Sequence, residues 1–409
     1  MRIALDYGRD RVEFDVADER LIAEPRPPAA LADPSAAVRA ALEEPYAFPA
    51  LRRALTPDDH VAIVLDEELP HLAELLVPLL EHIHSAGVAP ASMTLLCPPS
   101  ASRQAWIDDL PDDFQDVHVE MCDPDDRRRM AYLATTQQGK RLYLNRTLVE
   151  SDQIVVLSGL RYDPLLGYSG AEGSLYPALS DRETRQEMSQ RVNLGVPDAA
   201  PWPARRAATE TAWLLGAPFF VQVIESAGDG VAQVVAGTVE ASREGQRLLD
   251  VNWRRSVPRP ADLVIAGVSG DPSRHTFAVL AAALACAARV VQPGGRIALL
   301  SQAEPVLGSE ADLLRGANDP REILRRLHSE QTVELVPVLR WAAAATQARI
   351  NLLSGLPDDR VEELFATPLH AAREVQRLID AGGSCVFLPD AHKMLAVVAE
   401  CDARGGGPT

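Results

Sequence analysis

The feature that most constrains the fold is a set of short apolar runs without polar alternation. Val61–Leu65 and Ile154–Leu157 are apolar at every position, which is typical of parallel strands covered on both faces. Between the first run and the next strand, Met93–Leu96, lies His71–Ser85, whose apolar residues recur at helical spacing before Gly87. This order predicts a βαβ unit.

The second half of the chain repeats the pattern. Leu263–Gly267 is followed by an apolar helix, Thr276–Ala288, and by the strand Arg296–Leu300. Further on, we predict a helix at Pro368–Ile379 and the last strand at Ser384–Leu388. Alternating strands and helices indicate an α/β architecture. We therefore predict two α/β domains, each with a parallel or mixed sheet, and an interdomain cleft.

The run Pro258-Arg259-Pro260 marks the boundary between these domains, because prolines interrupt regular elements. The predicted N-terminal domain covers residues 1–256 and the C-terminal domain covers residues 257–400. Residues 401–409, which include three consecutive glycines, are predicted to form a disordered tail.

The composition limits the partners. There are 58 acidic and 40 basic residues, which give a net charge of −18, so nucleic acids and anionic membranes would be repelled. The five cysteines are odd in number and scattered without zinc-site spacing, which is typical of a reduced, cytoplasmic protein. No signal peptide and no apolar run long enough to span a bilayer is evident. The oligomeric state remains open.

A glycine-rich loop follows one of the buried strands. The segment LSGLRYDPLLGYSGAEGSLYPAL, residues 157–179, leaves the strand Ile154–Leu157 and contains Gly159, Gly167, Gly170 and Gly173. A loop of small residues at the carboxyl end of a parallel strand brings backbone amides close to a bound ligand. We therefore expect the ligand cleft at this loop.

Several polar residues are candidates for the cleft, and each has a structural alternative. Asp66 follows the strand Val61–Leu65, where it would contact a ligand or cap the helix that begins near Pro70. Arg161 and Asp163 would bind a polar ligand or form a surface ion pair. Tyr168 and Ser169 would shape the loop, with Ser169 able to donate a hydrogen bond.

Three further candidates lie outside this loop. Ser100 follows another strand end, and a helix cap is its simplest role. His275 lies close to Asp271 at the start of a helix and would act as a general base if a carboxylate oriented it, or as a cap or surface residue. No G-x-G-x-x-G, Walker or G-x-S-x-G motif occurs, which disfavours dinucleotide enzymes, nucleoside triphosphatases and serine hydrolases.

Segments throughout the chain resemble the nickel-pincer-nucleotide-dependent lactate racemase family. The resemblance rests on DYGRDRVEFDV near the start, ALEEPYAFPALRRALTPDDHVAIVLDEELP around the first buried strand, AYLATTQQGKRLYLNRTLVESDQIVVLSGL before the loop, GYSG within it, VPRPADLVIAGVSGDP after the boundary and LPDDRVEELFATPLHAAREVQRL near the end. It implies two α/β domains with the active site between them. It also implies racemisation by hydride transfer to the cofactor, with histidines moving the hydroxyl proton.

This chain departs from the family at the residues that carry that chemistry. The cofactor lysine falls on Gly173, one catalytic histidine on Asp163, and the nickel-ligand histidine near Ser189. The turn of the other catalytic histidine reads Cys97-Pro98-Pro99-Ser100, and a family arginine falls on Leu69. Apolar residues, Ala278, Val279 and Ala282, replace the family's polar substrate contacts. Since glycine has no amine for the cofactor's amide link, we expect no cofactor and no metal.

The sequence supports three hypotheses about function. The first is a diverged lactate-racemase-like protein that has lost pincer catalysis and binds a small polar metabolite or serves a partner protein. The second is a 2-hydroxy-acid racemase or epimerase with a rearranged active site. The third is a cofactor-free enzyme built on Asp66, Asp163 and His275, of which Asp163 and His275 are the candidate catalytic groups. Whether the chain is an enzyme stays open at this point.

Overall fold

The structure is a computed structural model. It describes residues 1–99, 105–137, 139–197, 200–327 and 332–399. Two predictions lie outside these residues: the cap at Ser100 and the tail at 401–409.

The strands follow one another through both halves of the chain. They are β1 (Arg2–Tyr7), β2 (Asp10–Asp15), β3 (Leu21–Ala23), β4 (Val61–Leu65), β5 (Met93–Cys97), β6 (His118–Met121), β7 (Met130–Thr135), β8 (Arg141–Asn145), β9 (Gln153–Gly159), β10 (Tyr162–Asp163), β11 (Gly167–Tyr168), β12 (Phe219–Glu225), β13 (Val231–Gly237), β14 (Arg254–Val257), β15 (Ala261–Gly267), β16 (Val291–Leu300), β17 (Arg349–Leu353), β18 (Ala366–Leu369), β19 (Cys385–Leu388) and β20 (Leu395–Val398).

The helices alternate with these strands. They are α1 (Pro34–Glu43), α2 (Leu72–His84), α3 (Arg146–Glu150), α4 (Arg182–Ser189), α5 (Pro203–Leu214), α6 (Val239–Trp253), α7 (Phe277–Ala288), α8 (Asp312–Arg315), α9 (Pro320–Leu327), α10 (Val336–Gln347), α11 (Asp358–Glu363) and α12 (Ala372–Asp380). Among the described residues, no helix is long and apolar enough to cross a membrane.

The chain divides into two compact units. The central unit contains residues 28–252, and the terminal unit contains residues 1–27 together with most of the chain from residue 253 onward. The division near residue 252 lies a few residues before the predicted boundary. Residues 1–27 fall outside the predicted N-terminal domain because the β1–β2 hairpin buries Ile3, Leu5 and Phe14 against Leu263 and Ile265 of the terminal unit.

The central unit is built on a six-stranded sheet in the order β13-β12-β9-β4-β5-β6. All neighbours are parallel except β13, which runs antiparallel to β12. Every residue of β4 is buried, because an apolar cluster covers each face of the strand. On one face, Ile63 packs in the cluster that contains the leucines of α2. On the other face, Val64 packs in the cluster that contains Ala171 of the glycine-rich loop. The sequence prediction of a doubly covered parallel strand is confirmed.

The terminal unit contains a second six-stranded sheet, in the order β18-β17-β16-β15-β19-β3, and all of its neighbours are parallel. Helix α7 packs on this sheet and on α10, where Phe277 stacks on Trp341 with ring centroids 5.1 Å apart. Thr276 accepts a hydrogen bond from the Val279 amide and thereby caps α7.

Four short strands correct the sequence prediction. The predicted helix at Pro368–Ile379 is in fact the end of β18 followed by α12, and β20 follows the strand that was predicted to be last. Strands β3 and β14 were also missed. Each of these strands has three or four residues and depends on hydrogen bonds to a neighbouring strand. For two of them that neighbour is far away in the sequence: β3 pairs with β19, and β14 pairs with β20. Pro368 is tolerated because β18 is an edge strand.

Substitution of Leu79 by alanine should destabilise the central unit. The Leu79 side chain is fully buried in the apolar cluster that contains α2, so its removal leaves a cavity and should lower the free energy of unfolding by about 2–5 kcal/mol. Urea denaturation followed by circular dichroism measures this loss. Glu81→Ala, at an exposed site on the same helix, should change the value by less than about 0.5 kcal/mol. Equal losses in both variants would contradict the packing described here.

Candidate functional site

Three charged residues meet at the carboxyl edge of the central unit's sheet. Asp66 directly follows β4, Arg161 comes two residues after β9, and Glu225 is the last residue of β12. Strands β4 and β12 are the two neighbours of β9. Because these strands are parallel, their carboxyl ends lie side by side. We refer to Asp66, Arg161 and Glu225 as the edge cluster.

Arg161 is the centre of the edge cluster. Its Nη1 atom donates to Asp66 Oδ2 at 2.7 Å, and its Nε atom donates to Glu225 Oε1 at 2.9 Å. Burial opposes the charge of this guanidinium, but the adjacent carboxylates of Asp66 and Glu225 outweigh burial and raise the pKa of Arg161 above its usual value. The arginine is therefore held as a permanent cation between two carboxylates.

Asp66 connects β4 to the start of the glycine-rich loop. Its Oδ2 atom also accepts from the Gly159 amide at 2.9 Å, and its Oδ1 atom accepts from the Glu68 amide at 3.0 Å. The alternative prediction, a helix cap, is wrong for Asp66: α2 begins after His71, whose backbone is left-handed. The carboxylate instead fixes the carboxyl ends of two neighbouring strands.

Asp163 shapes its own loop. Its Oδ1 atom accepts hydrogen bonds from the amides of Leu165 at 2.8 Å and Leu166 at 2.6 Å. The ion pairs that the structure gives to Arg161 are with Asp66, Glu68 and Glu225, so the predicted pairing of Arg161 with Asp163 is replaced by the edge cluster. A carboxylate that holds two amides of a turn is a loop-forming group.

Tyr168 and Ser169 close the same loop. Ser169 Oγ accepts from the Arg161 amide at 3.0 Å, and the Ser169 amide donates to the Arg161 carbonyl at 2.8 Å. The hydroxyls of Tyr162 and Tyr168 donate to the two carboxylate oxygens of Asp250 at 2.9 and 3.1 Å. These contacts agree with the predicted loop-shaping role of both residues.

A buried polar network connects the loop to α5 and α6 and was not predicted. Arg205 of α5 donates from Nη2 to Glu172 Oε2 at 2.7 Å and to Ser242 Oγ at 2.8 Å, and the Ser242 hydroxyl donates to Glu172 at 2.7 Å. Arg205 Nη1 donates to the Tyr168 carbonyl at 3.0 Å. All three side chains are almost fully buried. The partners are 33 and 70 positions apart in the chain, so no local pattern indicates them.

A cavity of about 350 Å³ adjoins this network. We refer to it as the α5–α6 cavity, because most of its polar lining comes from those two helices. Its lining consists of Leu166, Gly167, Tyr168, Glu172, Pro197, Ala200, Pro201, Trp202, Arg205, Arg206, Thr209, Val239, Ser242, Arg243 and Gln246.

Leu166 packs against the position that the family resemblance gives to a cofactor lysine. Gly173 is buried, and a Cβ atom placed on it would lie 2.5 Å from Leu166 Cδ1. Ser189, near the position that the resemblance gives to the nickel ligand, is buried and donates to the Gln186 carbonyl at 2.8 Å. Leu69, at the arginine position, is buried in the core. The positions that the resemblance gives to the cofactor lysine and the nickel-ligand histidine therefore carry no amine and no imidazole. Among the described residues, no three histidine, cysteine, aspartate or glutamate side chains form a metal-binding group.

Asp271 and His275 belong to the terminal unit. Asp271 accepts from the Ser273 amide at 3.0 Å, a hydrogen bond that lowers the pKa of Asp271. His275 is buried, and its Nε2 atom lies 3.1 Å from the Ser269 carbonyl oxygen. The alternative of a cap or surface role for His275 is wrong, because Thr276 caps the helix. The joint action of Asp66, Asp163 and His275 remains a prediction.

Glu67 is a further residue that sequence reasoning missed. Its Oε1 atom accepts from Trp106 Nε1 at 2.7 Å, whereas its Oε2 atom is buried without a hydrogen-bond partner among the described residues. Burial raises the pKa of Glu67, with the neighbouring Asp66 charge adding to the effect and the Trp106 hydrogen bond opposing it. The sequence does contain a signal for Glu67, because it belongs to the acidic run Asp66-Glu67-Glu68 after β4. Only Asp66 of that run was considered as a candidate.

Comparisons with known proteins point to lactate racemases. Residues 7–193 match the family model Lactate racemase N-terminal domain. The lactate racemase of Thermoanaerobacterium thermosaccharolyticum is 21% identical over 407 residues, covering 93% of this chain and 94% of that protein.

Solved structures agree with this result. The lactate racemase apoprotein of the same organism superposes with a TM-score of 0.80 at 17% identity, over 98% of this chain and 100% of that chain. A crystal structure of a Thermotoga maritima protein gives a TM-score of 0.65 at 12% identity, over 90% of this chain and 99% of that chain. The resemblance seen in the sequence and the α/β fold class are confirmed.

Replacement of Arg161 by methionine should destabilise the protein. It leaves the carboxylates of Asp66 and Glu225 close together and without their cation, which should cost about 3 kcal/mol in the free energy of unfolding. Urea denaturation at neutral pH measures the loss. Arg247→Met is the matched control, since Arg247 is exposed and pairs with Glu244 within one helix; such pairs contribute little. If the two variants proved equally stable, the edge cluster would not hold the strand ends together.

Glu67→Gln should become more stable than the wild type as pH rises. Below the ordinary glutamate pKa of 4.5, residue 67 is neutral in both proteins and their stabilities should differ least. Between this value and the raised pKa of the folded state, the unfolded wild type is ionised while the buried carboxyl group of the folded state is still protonated, so rising pH disfavours folding; above the raised pKa the difference levels off. Melting temperatures measured across this range test the prediction, with Glu81→Gln as a control that should show no such trend. A pH-independent difference would refute it.

Proposed function

Because the chain is a lactate-racemase-like protein, we propose that it uses the family's fold without nickel-pincer catalysis. In this proposal it binds a small polar metabolite, as a sensor or an accessory protein. Nickel-pincer chemistry would need a lysine to carry the cofactor and histidines to hold nickel and move protons. This chain has Gly173, Ser189 and Asp163 at those positions.

The observation that carries the proposal is Gly173 itself, which offers no amine for the cofactor's amide link. A Cβ atom at this position would lie 2.5 Å from Leu166 Cδ1, so the end of that side chain would have to move to admit a lysine. Ser189 supports the same conclusion, because its hydroxyl is turned to a carbonyl of its own helix.

The edge cluster also supports a binding role. At the sheet edge where α/β proteins bind ligands, the cation of Arg161 is held by two carboxylates, and Asp163 is engaged with loop amides. These are positioning contacts that give the loop a fixed shape. A cytoplasmic location forms part of the proposal, because the four described cysteines are all free and buried.

Intact mass and nickel content test the proposal directly. The chain would be co-expressed with the enzymes that make the pincer cofactor, and the Thermoanaerobacterium thermosaccharolyticum lactate racemase would be treated in parallel as a positive control. We expect the unmodified mass and no stoichiometric nickel for this chain, because position 173 offers no amine.

The alternative function makes the opposite prediction. A 2-hydroxy-acid racemase or epimerase with a rearranged active site would show added mass and bound nickel, or would interconvert the enantiomers of 2-hydroxy acids. Chiral chromatography of lactate incubated with the purified protein detects that activity. Either result would overturn the proposed loss of catalysis.

A further inference from the structure

The α5–α6 cavity has the dimensions of a ligand site. Its volume of about 350 Å³ is within the range of pockets that hold small molecules. All of its described lining residues belong to the central unit. The edge cluster residues are not among them, so the cavity is distinct from the edge cluster.

The floor of the cavity is a fixed polar surface. Arg205, Glu172 and Ser242 hydrogen-bond to one another, and Arg205 also binds the Tyr168 carbonyl. Arg205 and Glu172 form a buried ion pair at 2.7 Å, so their charges compensate each other. A satisfied network of this kind holds its groups in one arrangement before a ligand arrives.

The rest of the lining carries excess positive charge. Arg206 and Arg243 line the cavity and are exposed, and no described carboxylate other than Glu172 lines it. Glu240 of the same helix has its pKa lowered mainly by a hydrogen bond from Thr238 and in smaller part by the charge of Arg243, whereas Arg247, one turn further along α6, is held in an ion pair with Glu244. In a chain with a net charge of −18, a cavity lined by two guanidiniums in addition to the paired Arg205 favours an anion.

Part of the described lining is apolar. It consists of Leu166, Pro197, Pro201, Trp202 and Val239. The half-buried indole of Trp202 offers a flat surface on which a planar group can stack. A ligand that contacts both the arginines and these residues therefore needs a negative charge and a flat apolar body.

We propose that the α5–α6 cavity binds a small organic anion that carries a carboxylate or phosphate on a planar apolar body. Arg206 and Arg243 bind the anionic group, and Trp202 stacks on the body. The inference rests on the part of the proposed function that gives the chain a small-molecule ligand. It does not depend on the loss of pincer chemistry, so mass and nickel measurements leave it unaffected.

Isothermal titration calorimetry with phenyl phosphate and phenylacetate tests the proposal. We expect saturable binding of at least one of these probes at millimolar concentrations or below. Benzyl alcohol, which lacks the charge, and inorganic phosphate, which lacks the ring, should each bind at least about tenfold more weakly, since a charged hydrogen bond or a stacked ring contributes about 1–2 kcal/mol.

Exposed variants separate the site from general charge effects. Arg206→Gln and Arg243→Gln should each weaken binding of the anionic probe by roughly tenfold, whereas Arg247→Gln should leave it unchanged. Trp202→Ala should weaken binding of the aromatic probes, and Trp213→Ala, at an exposed position near the end of the same helix, should not. Arg205 is left intact because its loss would disrupt the buried network.

Three results would overturn the proposal. The first is the absence of saturable binding of both aromatic anions at millimolar concentrations. The second is wild-type affinity in the Arg206→Gln/Arg243→Gln double variant. The third is an equal loss of affinity in Arg247→Gln, which would indicate attraction to the helix surface as a whole. Circular dichroism of each variant confirms that the fold is intact before titration.

Discussion

The structure around the candidate site depends on compensation of one half-buried cation. Arg161 lies just beyond β9, the strand between β4 and β12, and its charge requires carboxylates from both neighbours. Asp66 and Glu225 meet that requirement, and Asp66 also binds the Gly159 amide. The start of the glycine-rich loop is therefore fixed by electrostatics, and the hydrogen bonds of Asp163 and Ser169 shape the rest of it.

The sequence predicts what depends on local patterns. The unbroken apolar run of β4 and the helical spacing of apolar residues in α2 each carry their own signal, and each element appears where expected. Asp66 and Arg161 were identified because they follow buried strands. The order of the strands in the sheet brings these two residues together with Glu225. The amino-acid sequence does not show that order.

The missed features share a different cause. Glu172, Arg205 and Ser242 come from a short helical turn and two separate helices, and only the folded chain brings them together. Strands β3 and β18 are too short to show a period and form because a neighbouring strand offers hydrogen-bonding groups. Residues 1–27 were placed with the wrong part of the chain because a hairpin's sequence does not indicate which sheet its apolar side covers.

The contact between Gly173 and Leu166 also limits which evolutionary steps are open to this chain. A single codon change at position 173 would place a side chain against a buried leucine, so the new residue would be opposed by packing before it could gain any use. A lysine at this position would need the terminal methyl group of Leu166 to move aside, or a smaller residue at 166. The two positions are thus coupled, and the effect of a change at 173 depends on the residue at 166.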